Sequence, residues 1–293
     1  MSLWPPREHW RRLTFGLLTV AGIARRGIFI PYRYAADLPP PGQRPPHEAI
    51  ATLMAARAPA FRRVLAAVDR QAAALSAIGY GPAPAPRWRQ GWFPPIDAAV
   101  AYTLVRRLRP RLLIEVGSGH STRFFSRAVA DAGLATRILA IDPAPRAPLA
   151  GLDIELITAT VQTAGLAPFE RLQAGDVLSI DSSHILMPGS DVDFLLNQVL
   201  PGLTPGVVVH IHDIFLPDDY PPAWAWRAYN EQLGVAAMLH GGSWRVLWSS
   251  RYVTTRLPEL LQASLVSRLP RCPGAEDSSL WLVRMDRRTG RQL

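Results

Sequence analysis

Leu112-Leu113-Ile114-Glu115-Val116-Gly117-Ser118-Gly119-His120-Ser121-Thr122 is the stretch on which the fold turns. The apolar run Leu112–Val116 predicts a short buried strand, two glycines break it, and Ser121 to Ala132 predicts a helix. A strand that passes through glycine straight into a helix is the opening half of a βαβ unit. Glycine lets the backbone turn tightly and lets a ligand approach without a Cβ in the way. The helix start adds unpaired N–H groups and a positive dipole end.

Working outward, the same alternation recurs. Upstream, Ile96 to Leu108 predicts a helix that Arg109-Pro110 stops. Downstream, strands are expected at Arg137–Ile141 (followed by Asp142), Asp153–Thr158, Asp176–Ile180 (followed by Asp181) and Val207–Ile211 (followed by His212-Asp213). Asp191–Leu200 is helical, and Trp244–Trp248 and Ser279–Val283 complete a seven-stranded count. Strands alternating with helices imply a mostly parallel sheet covered on both faces, a Rossmann-like α/β architecture. Before it, residues 37–46 are too rich in proline for a helix or a central strand, and His47–Ile78 reads as one or two Ala-rich helices. Gly79–Pro86 is a second break. The expected division is therefore a helical appendage with Pro-rich linkers over 1–86 and the α/β domain over 87–293.

The glycine loop disfavours a dinucleotide, leaving an NAD-linked dehydrogenase as a weaker alternative, and excludes a P-loop. A dinucleotide fingerprint needs a third glycine where Thr122 stands, and no GxxxxGK[ST] motif is present. Glu115, two residues before the first glycine, suits a ligand with an amino or sulfonium cation and suits a pyrophosphate poorly. Asp142, at the end of the second strand, is placed to accept hydrogen bonds from ribose hydroxyls.

Composition adds bounds. The chain has 293 residues, is 48% hydrophobic, and carries a net charge of +9. All of its basic residues are Arg, which signals codon bias more than a nucleic-acid footprint. Residues 1–34 hold Arg7, Arg11, Arg12, Arg25, Arg26 and Arg33 against Glu8 alone. Such an end suits phosphates, of lipid head groups or of nucleic acid, and is equally compatible with a solvated basic end. The apolar run Leu13–Ala24 is too short to span a bilayer, which takes ~20 residues, and it predicts a docking helix or one lying on a membrane surface. One cysteine, Cys272, rules out an intramolecular disulfide and suits a reducing, cytoplasmic setting, with membrane association through the N-terminus as an added expectation.

Taken together, Phe93-Pro94-Pro95-Ile96-Asp97, Ile114 to Thr122, Ile180-Asp181-Ser182-Ser183-His184 and His212-Asp213-Ile214-Phe215 resemble the class I S-adenosylmethionine-dependent methyltransferases, and within them the bacterial methyltransferase 24 type. The resemblance spans about residues 90–285. It implies S-adenosyl-L-methionine as cofactor, with Glu115, Gly117, Ser118, Gly119, Ser121 and Thr122 along its methionine end. It likewise implies Asp142 at the ribose and Asp181 with Ser182 near the transferred methyl.

The methylases of exocyclic base amines carry an Asp/Asn-Pro-Pro-aromatic motif after strand four. This chain has Asp181-Ser182-Ser183-His184 there, so an oxygen nucleophile is expected. His184 is the first candidate for general base, then His212, with Asp213 beside them. Asp181 and Asp213, with one of these two histidines, are candidate ligands for Mg²⁺, which would lower the pKa of an acceptor hydroxyl. Phe215–Trp226 and the group Trp88, Trp92 and Phe93 are expected as walls of the acceptor site. The expected partner is a small-molecule or glycan acceptor, and a homo-oligomer is compatible with the sequence. The alternatives are an RNA methyltransferase, disfavoured by missing nucleic-acid motifs, and a methyltransferase-like domain without turnover.

Overall fold

The computed structural model describes residues 7–286. The two ends of the sequence, and with them residues 1–6 of the basic segment 1–34 and residues 287–293 of the segment 87–293, lie outside the described residues. Seven strands form one sheet: β1 (Leu112–Val116), β2 (Arg137–Ile141), β3 (Glu155–Ile157), β4 (Val177–Ile180), β5 (Val208–Ile211), β6 (Trp244–Ser249) and β7 (Leu280–Arg284). Their order is β3-β2-β1-β4-β5-β7-β6. β7 runs antiparallel between β5 and β6, and the other neighbouring pairs are parallel. The mostly parallel Rossmann-like sheet is therefore present. β1, β4 and β5 are buried along their whole length, as expected of strands covered on both faces.

Strand order reverses between β1 and β4, and such switch points open a crevice at the strands' carboxyl ends. The ladder there continues one residue beyond each strand. Gly117 N–H donates to Ile141 O, Asp142 N–H to Ile157 O, Asp181 N–H to Val116 O, and His212 N–H to Ile180 O. The residues ending four strands are thus held at one level.

Six helices precede β2: α1 (Arg7–Val20), α2 (Glu48–Ala55), α3 (Ala58–Asp69), α4 (Ala72–Ser76), α5 (Pro95–Leu108) and α6 (His120–Asp131). The segment expected as one or two helices is three, broken at Ala56-Arg57 ahead of Pro59 and again at Arg70-Gln71. Backbone contacts divide the described residues into two compact units, 7–45 with 219–229, and 46–218 with 230–286. The division falls at 45/46 rather than at the expected 86, because α3 shares the core with the sheet. Phe61 meets Trp248 of β6 edge to face at 5.8 Å, and Arg57 Nε donates to Val246 O at 2.9 Å. The break at Gly79–Pro86 is a loop within that larger unit. α5 and α6 pack on each other, with Phe93 against Phe124 and Phe125.

In the smaller unit, Arg44 pairs with Asp219 at 2.8 Å, and the Arg227 guanidinium lies 4.1 Å from the Trp224 ring centre, with Trp226 and Tyr229 also in reach. Among the described residues no helix is long and apolar enough to cross a membrane.

Candidate active site

The loop after β1 is built from its own side chains. Glu115 is fully buried, and its two carboxylate oxygens accept hydrogen bonds from Ser121 Oγ and Thr122 Oγ1 on the first turn of α6. Thr122 Oγ1 in turn accepts from Gly119 N–H at 2.9 Å. Strand, turn and helix are thereby locked together. Glu115 does not present a free carboxylate to a cationic ligand; it shapes the turn that would. Burial pushes its pKa up, to about 8, although the hydroxyls of Ser121 and Thr122 favour the ionised form.

That shift has a testable consequence. A carboxyl at about 4.5 when unfolded and about 8 when folded holds its proton more tightly in the native state. Its stabilisation is complete below the lower value and is lost as pH rises through the upper one. The slope is about 1.4 kcal/mol per pH unit at most. Glu115→Gln keeps the shape without the titration. Thermal melts should therefore show the variant gaining on wild type from pH 5 to 8 and keeping a constant lead above that; parallel curves would contradict a raised Glu115.

Asp142 sits at the mouth of the same loop. Its Oδ2 accepts from Ser118 N–H at 2.6 Å and from Ser118 Oγ at 2.9 Å, and its Oδ1 accepts from Ala144 N–H at 2.7 Å. Gly117 has φ +79°, and a Cβ there would lie 1.9 Å from Asp181 O. Gly119 is different, since a Cβ built on it meets nothing within 4 Å. Two polar atoms close to these glycines in sequence or ladder, His120 Nδ1 and Ser182 Oγ, are buried with no hydrogen-bond partner. Burial, then Arg123 and Arg87, push His120 down to about 4, so its imidazole is neutral at pH 7. A clear space at Gly119 beside unsatisfied polar groups is what a small polar ligand would fill. His120 and its unpaired nitrogen were not singled out by the sequence, although the residue lies inside the quoted loop.

Beyond β4 and β5, four carboxylates surround two buried imidazoles. His184 Nε2 lies 3.3 Å from Asp181 Oδ1 and 3.4 Å from Asp213 Oδ2, while its Nδ1 lies 2.9 Å from Glu231 Oε2. His212 Nδ1 lies 3.5 Å from Asp181 Oδ1 and 3.4 Å from Asp213 Oδ1, and its Nε2 is 3.2 Å from Asp97 Oδ2. One nitrogen of each ring thus turns toward the Asp181–Asp213 pair, and the other is held by an outer carboxylate. His184 and Asp213 adopt left-handed backbone at φ +61° and +55°, an uncommon strain that gathers at functional sites.

Asp97 enters the sequence only as the end of the Phe93–Asp97 motif, with no role of its own, and Glu231 carries no signal there. Asp97, in the first turn of α5, accepts from Ser278 N–H at 2.9 Å and Ser279 N–H at 3.1 Å as well as facing His212. Glu231 opens the helix Glu231–His240, whose first N–H groups bond to His184 O.

This environment corrects the assignment of His184, or of His212 after it, as a free general base. Burial lowers the pKa of each imidazole, but the carboxylates outweigh it: Asp181, Asp213 and Glu231 hold His184 well above its ordinary value, and Asp213, Asp181 and Asp97 do the same for His212. Four carboxylates, three of them buried and Asp181 half-buried, gathered around two imidazoles call for a cation. Asp181, His212 and Asp213 offer donor atoms all within 4.8 Å of one another, with His184 Nε2 at the same pair of carboxylates. Two nitrogen donors alter the expected metal, because Mg²⁺ prefers an all-oxygen set and imidazole suits first-row transition ions. Asp181 is the most open member of the cluster, 31% exposed against 9% or less for its neighbours.

His210, one turn of the pleat from His212, does structural work. Its two nitrogens meet Ser179 Oγ and Ser279 Oγ, each at 2.8 Å, and its ring stacks on Trp281. Of the expected acceptor walls, Trp88 and Phe93 are buried in packing against Phe124, and Trp92 is exposed with Arg146 over its ring. Asp218 is not a free carboxylate either, being paired with Arg251 at 2.8 Å and Arg256 at 2.6 Å.

Residues 114–214 match the family described as "Methyltransferase domain", a span that runs from β1 to just past β5. Solved structures similar to the chain include an SAH-bound methyltransferase from Podospora anserina, at 13% identity over 89% of this chain and 100% of that one, with a TM-score of 0.41. Another is an O-methyltransferase from Streptomyces achromogenes in complex with SAM, at 16% identity over 76% and 90% of the two chains and a TM-score of 0.41. A third is an O-methyltransferase from Bacillus cereus in complex with SAH, at 13% identity over 76% and 91% and a TM-score of 0.39. No curated protein matches the sequence.

Proposed function

We propose that the chain, whose residues 114–214 match the family described as a methyltransferase domain, is an S-adenosylmethionine-dependent methyltransferase that acts on a hydroxyl oxygen of a small-molecule or glycan acceptor with the help of a divalent cation. The observation that carries this reading is the cluster of Asp181, His184, His212 and Asp213, built at the carboxyl ends of β4 and β5. Amine nucleophiles need no such charge-gathering device, whereas a hydroxyl must lose a proton as it attacks.

S-adenosylmethionine supplies an electrophilic methyl group on a sulfonium, and the chain's task is to hold that group in line with the acceptor. Gly117 and Gly119 keep the backbone low beneath the donor, with Ser118, Ser121 and Thr122 fixing the turn. Asp142 is assigned to the ribose, and Ser182 with His120 to the donor's polar end. A divalent cation held by Asp181, His212, Asp213 and His184 would lower the pKa of an acceptor hydroxyl. Asp97 and Glu231 orient the two imidazoles through their far nitrogens and keep the near ones aimed at the site. Asp181, the most open member, is assigned to the side from which the acceptor enters.

The test is methyl transfer from isotopically labelled S-adenosylmethionine, run on full-length protein with Mn²⁺, against panels of polyhydroxylated sugars, catechols, amines and RNA. Label is expected only in ether linkage to hydroxyl acceptors and is expected to vanish with a chelator. Methylation of nitrogen, or turnover indifferent to the chelator, would refute the reading.

A further inference from the structure

The smaller unit carries an anomaly that methyl transfer does not explain. In α1, Trp10, Leu13, Leu17 and Val20 are all exposed. At about 100° per residue they fall within an arc of about 80°, a single stripe. Phe15, Leu18 and Thr19, on other faces of the helix, are the half-buried ones. The chain after the helix repeats the pattern, with Ile23, Ile28, Phe29, Ile30, Tyr32 and Tyr34 exposed in turn. A water-facing monomer rarely leaves so many large apolar side chains together.

The charges beside them have one sign. Arg11 and Arg12 flank the stripe on α1, and Arg25, Arg26 and Arg33 follow it, against Asp37 alone among the described acidic side chains of residues 10–38. None of these arginines forms an ion pair among the described residues. Arg11 lies over the Phe15 ring at 5.2 Å and Arg33 over the Tyr34 ring at 5.5 Å, arrangements that keep a cation at the rim of an apolar face. Tyrosine and tryptophan at the border between apolar and charged side chains are the residues that settle at a head-group layer. A second protein offers no reason for this uniform excess of arginine, whereas an anionic bilayer supplies both the apolar depth and the phosphates.

We infer that residues 10–34 form a peripheral membrane-binding face. α1 lies in the plane of an anionic lipid surface, its stripe of Trp10, Leu13, Leu17 and Val20 and the Ile28-Phe29-Ile30 segment enter the acyl boundary, and Arg11, Arg12, Arg25, Arg26 and Arg33 meet lipid phosphates. The inference stands apart from the methyl-transfer reading, because it uses none of that site's residues.

Full-length protein should co-sediment with large unilamellar vesicles of phosphatidylcholine mixed with phosphatidylglycerol, and at least ~10-fold more weakly with phosphatidylcholine alone, since each arginine near an anionic surface adds attraction of about 1 kcal/mol, itself roughly 5-fold in affinity. Leu13→Glu/Leu17→Glu should lower the affinity at least ~10-fold while leaving the melting temperature unchanged, both positions being exposed. Arg25→Ala/Arg26→Ala should remove most of the preference for the anionic lipid and of the salt sensitivity. Wild-type protein that stays in the supernatant with both vesicle types would overturn the inference. Unchanged binding by Leu13→Glu/Leu17→Glu would overturn it too. So would a wild-type dimer, seen by light scattering, that this double variant dissociates while vesicles remain unbound; a second copy would then be the occupant of the stripe.

Discussion

Stripped with a chelator and re-titrated, the full-length protein is expected to bind Mn²⁺ or Co²⁺ at least ~100-fold more tightly than Mg²⁺, and Asp213→Ala is expected to lose at least ~100-fold of that affinity. The preference follows from the donors. Asp181 and Asp213 alone would suit Mg²⁺, but His212 Nδ1 and His184 Nε2 each lie 3.3–3.5 Å from an oxygen of both carboxylates. Nitrogen ligands add little for a hard ion that keeps its waters, and much for a borderline one. Asp213 is the informative position because each of its two oxygens faces a different imidazole. Glu231→Gln, which leaves the donors intact but removes the charge behind His184, should cost a smaller ~10–100-fold. The visible spectrum of bound Co²⁺ reports the ligand field without any acceptor being known, and titration with SAH should show donor affinity changed by less than ~3-fold. Equal affinity for Mg²⁺ and Mn²⁺ would return the site to the Mg²⁺ expected from the sequence. An Asp213→Ala protein that binds Co²⁺ as wild type does would remove the site altogether.

The reason the sequence showed Asp181 and Asp213 but not their supports lies in distance along the chain. A carboxylate that follows an apolar strand is visible locally, and the ladder bonds of Asp181 and His212 show why such residues end up level. Asp97 meets His212 across 115 residues, and Glu231 meets His184 across 47. Each opens a helix, where an acidic residue is ordinary, so nothing nearby marks either as the partner of a histidine. The helix Glu231–His240 itself was missed because its apolar residues do not gather on one face. Glu115 shows the opposite failure. Its place before the glycines is plain in the sequence, but which way its carboxylate is used depends on two hydroxyls one turn into α6, which a ligand-centred reading passes over. The strands were legible because burial on both faces demands mostly apolar runs at β1, β4 and β5. The junction of the N-terminal helices was not, since proline at 39–46 and at 82–86 looks alike until Phe61 is seen against Trp248.

The two loop glycines should separate shape from contact. Gly117→Ala places a Cβ on a residue with φ +79° and 1.9 Å from the carbonyl oxygen of Asp181. Backbone cannot yield there without moving the end of β4, so strain of about 1–3 kcal/mol from the conformation alone is a lower bound. A loss of roughly 5 °C or more in melting temperature is expected, with cofactor affinity falling alongside it. Gly119→Ala meets no atom within 4 Å, and its φ lies outside the left-handed range that strains Gly117. Its melting temperature should therefore match wild type within about 1–2 °C. If the clear space above Gly119 is where the donor's methionine end lies, the added methyl occupies it, and calorimetry with SAH should show affinity lower by ~100-fold, about 2.7 kcal/mol. Stability and affinity then part at one position and fall together at the other. Were Gly119→Ala to bind SAH normally, the donor would have to approach the loop from elsewhere, and the roles given to Ser182 and His120 would go with it. Were it to lose stability as Gly117→Ala does, the glycine would be serving the chain's own packing rather than a ligand.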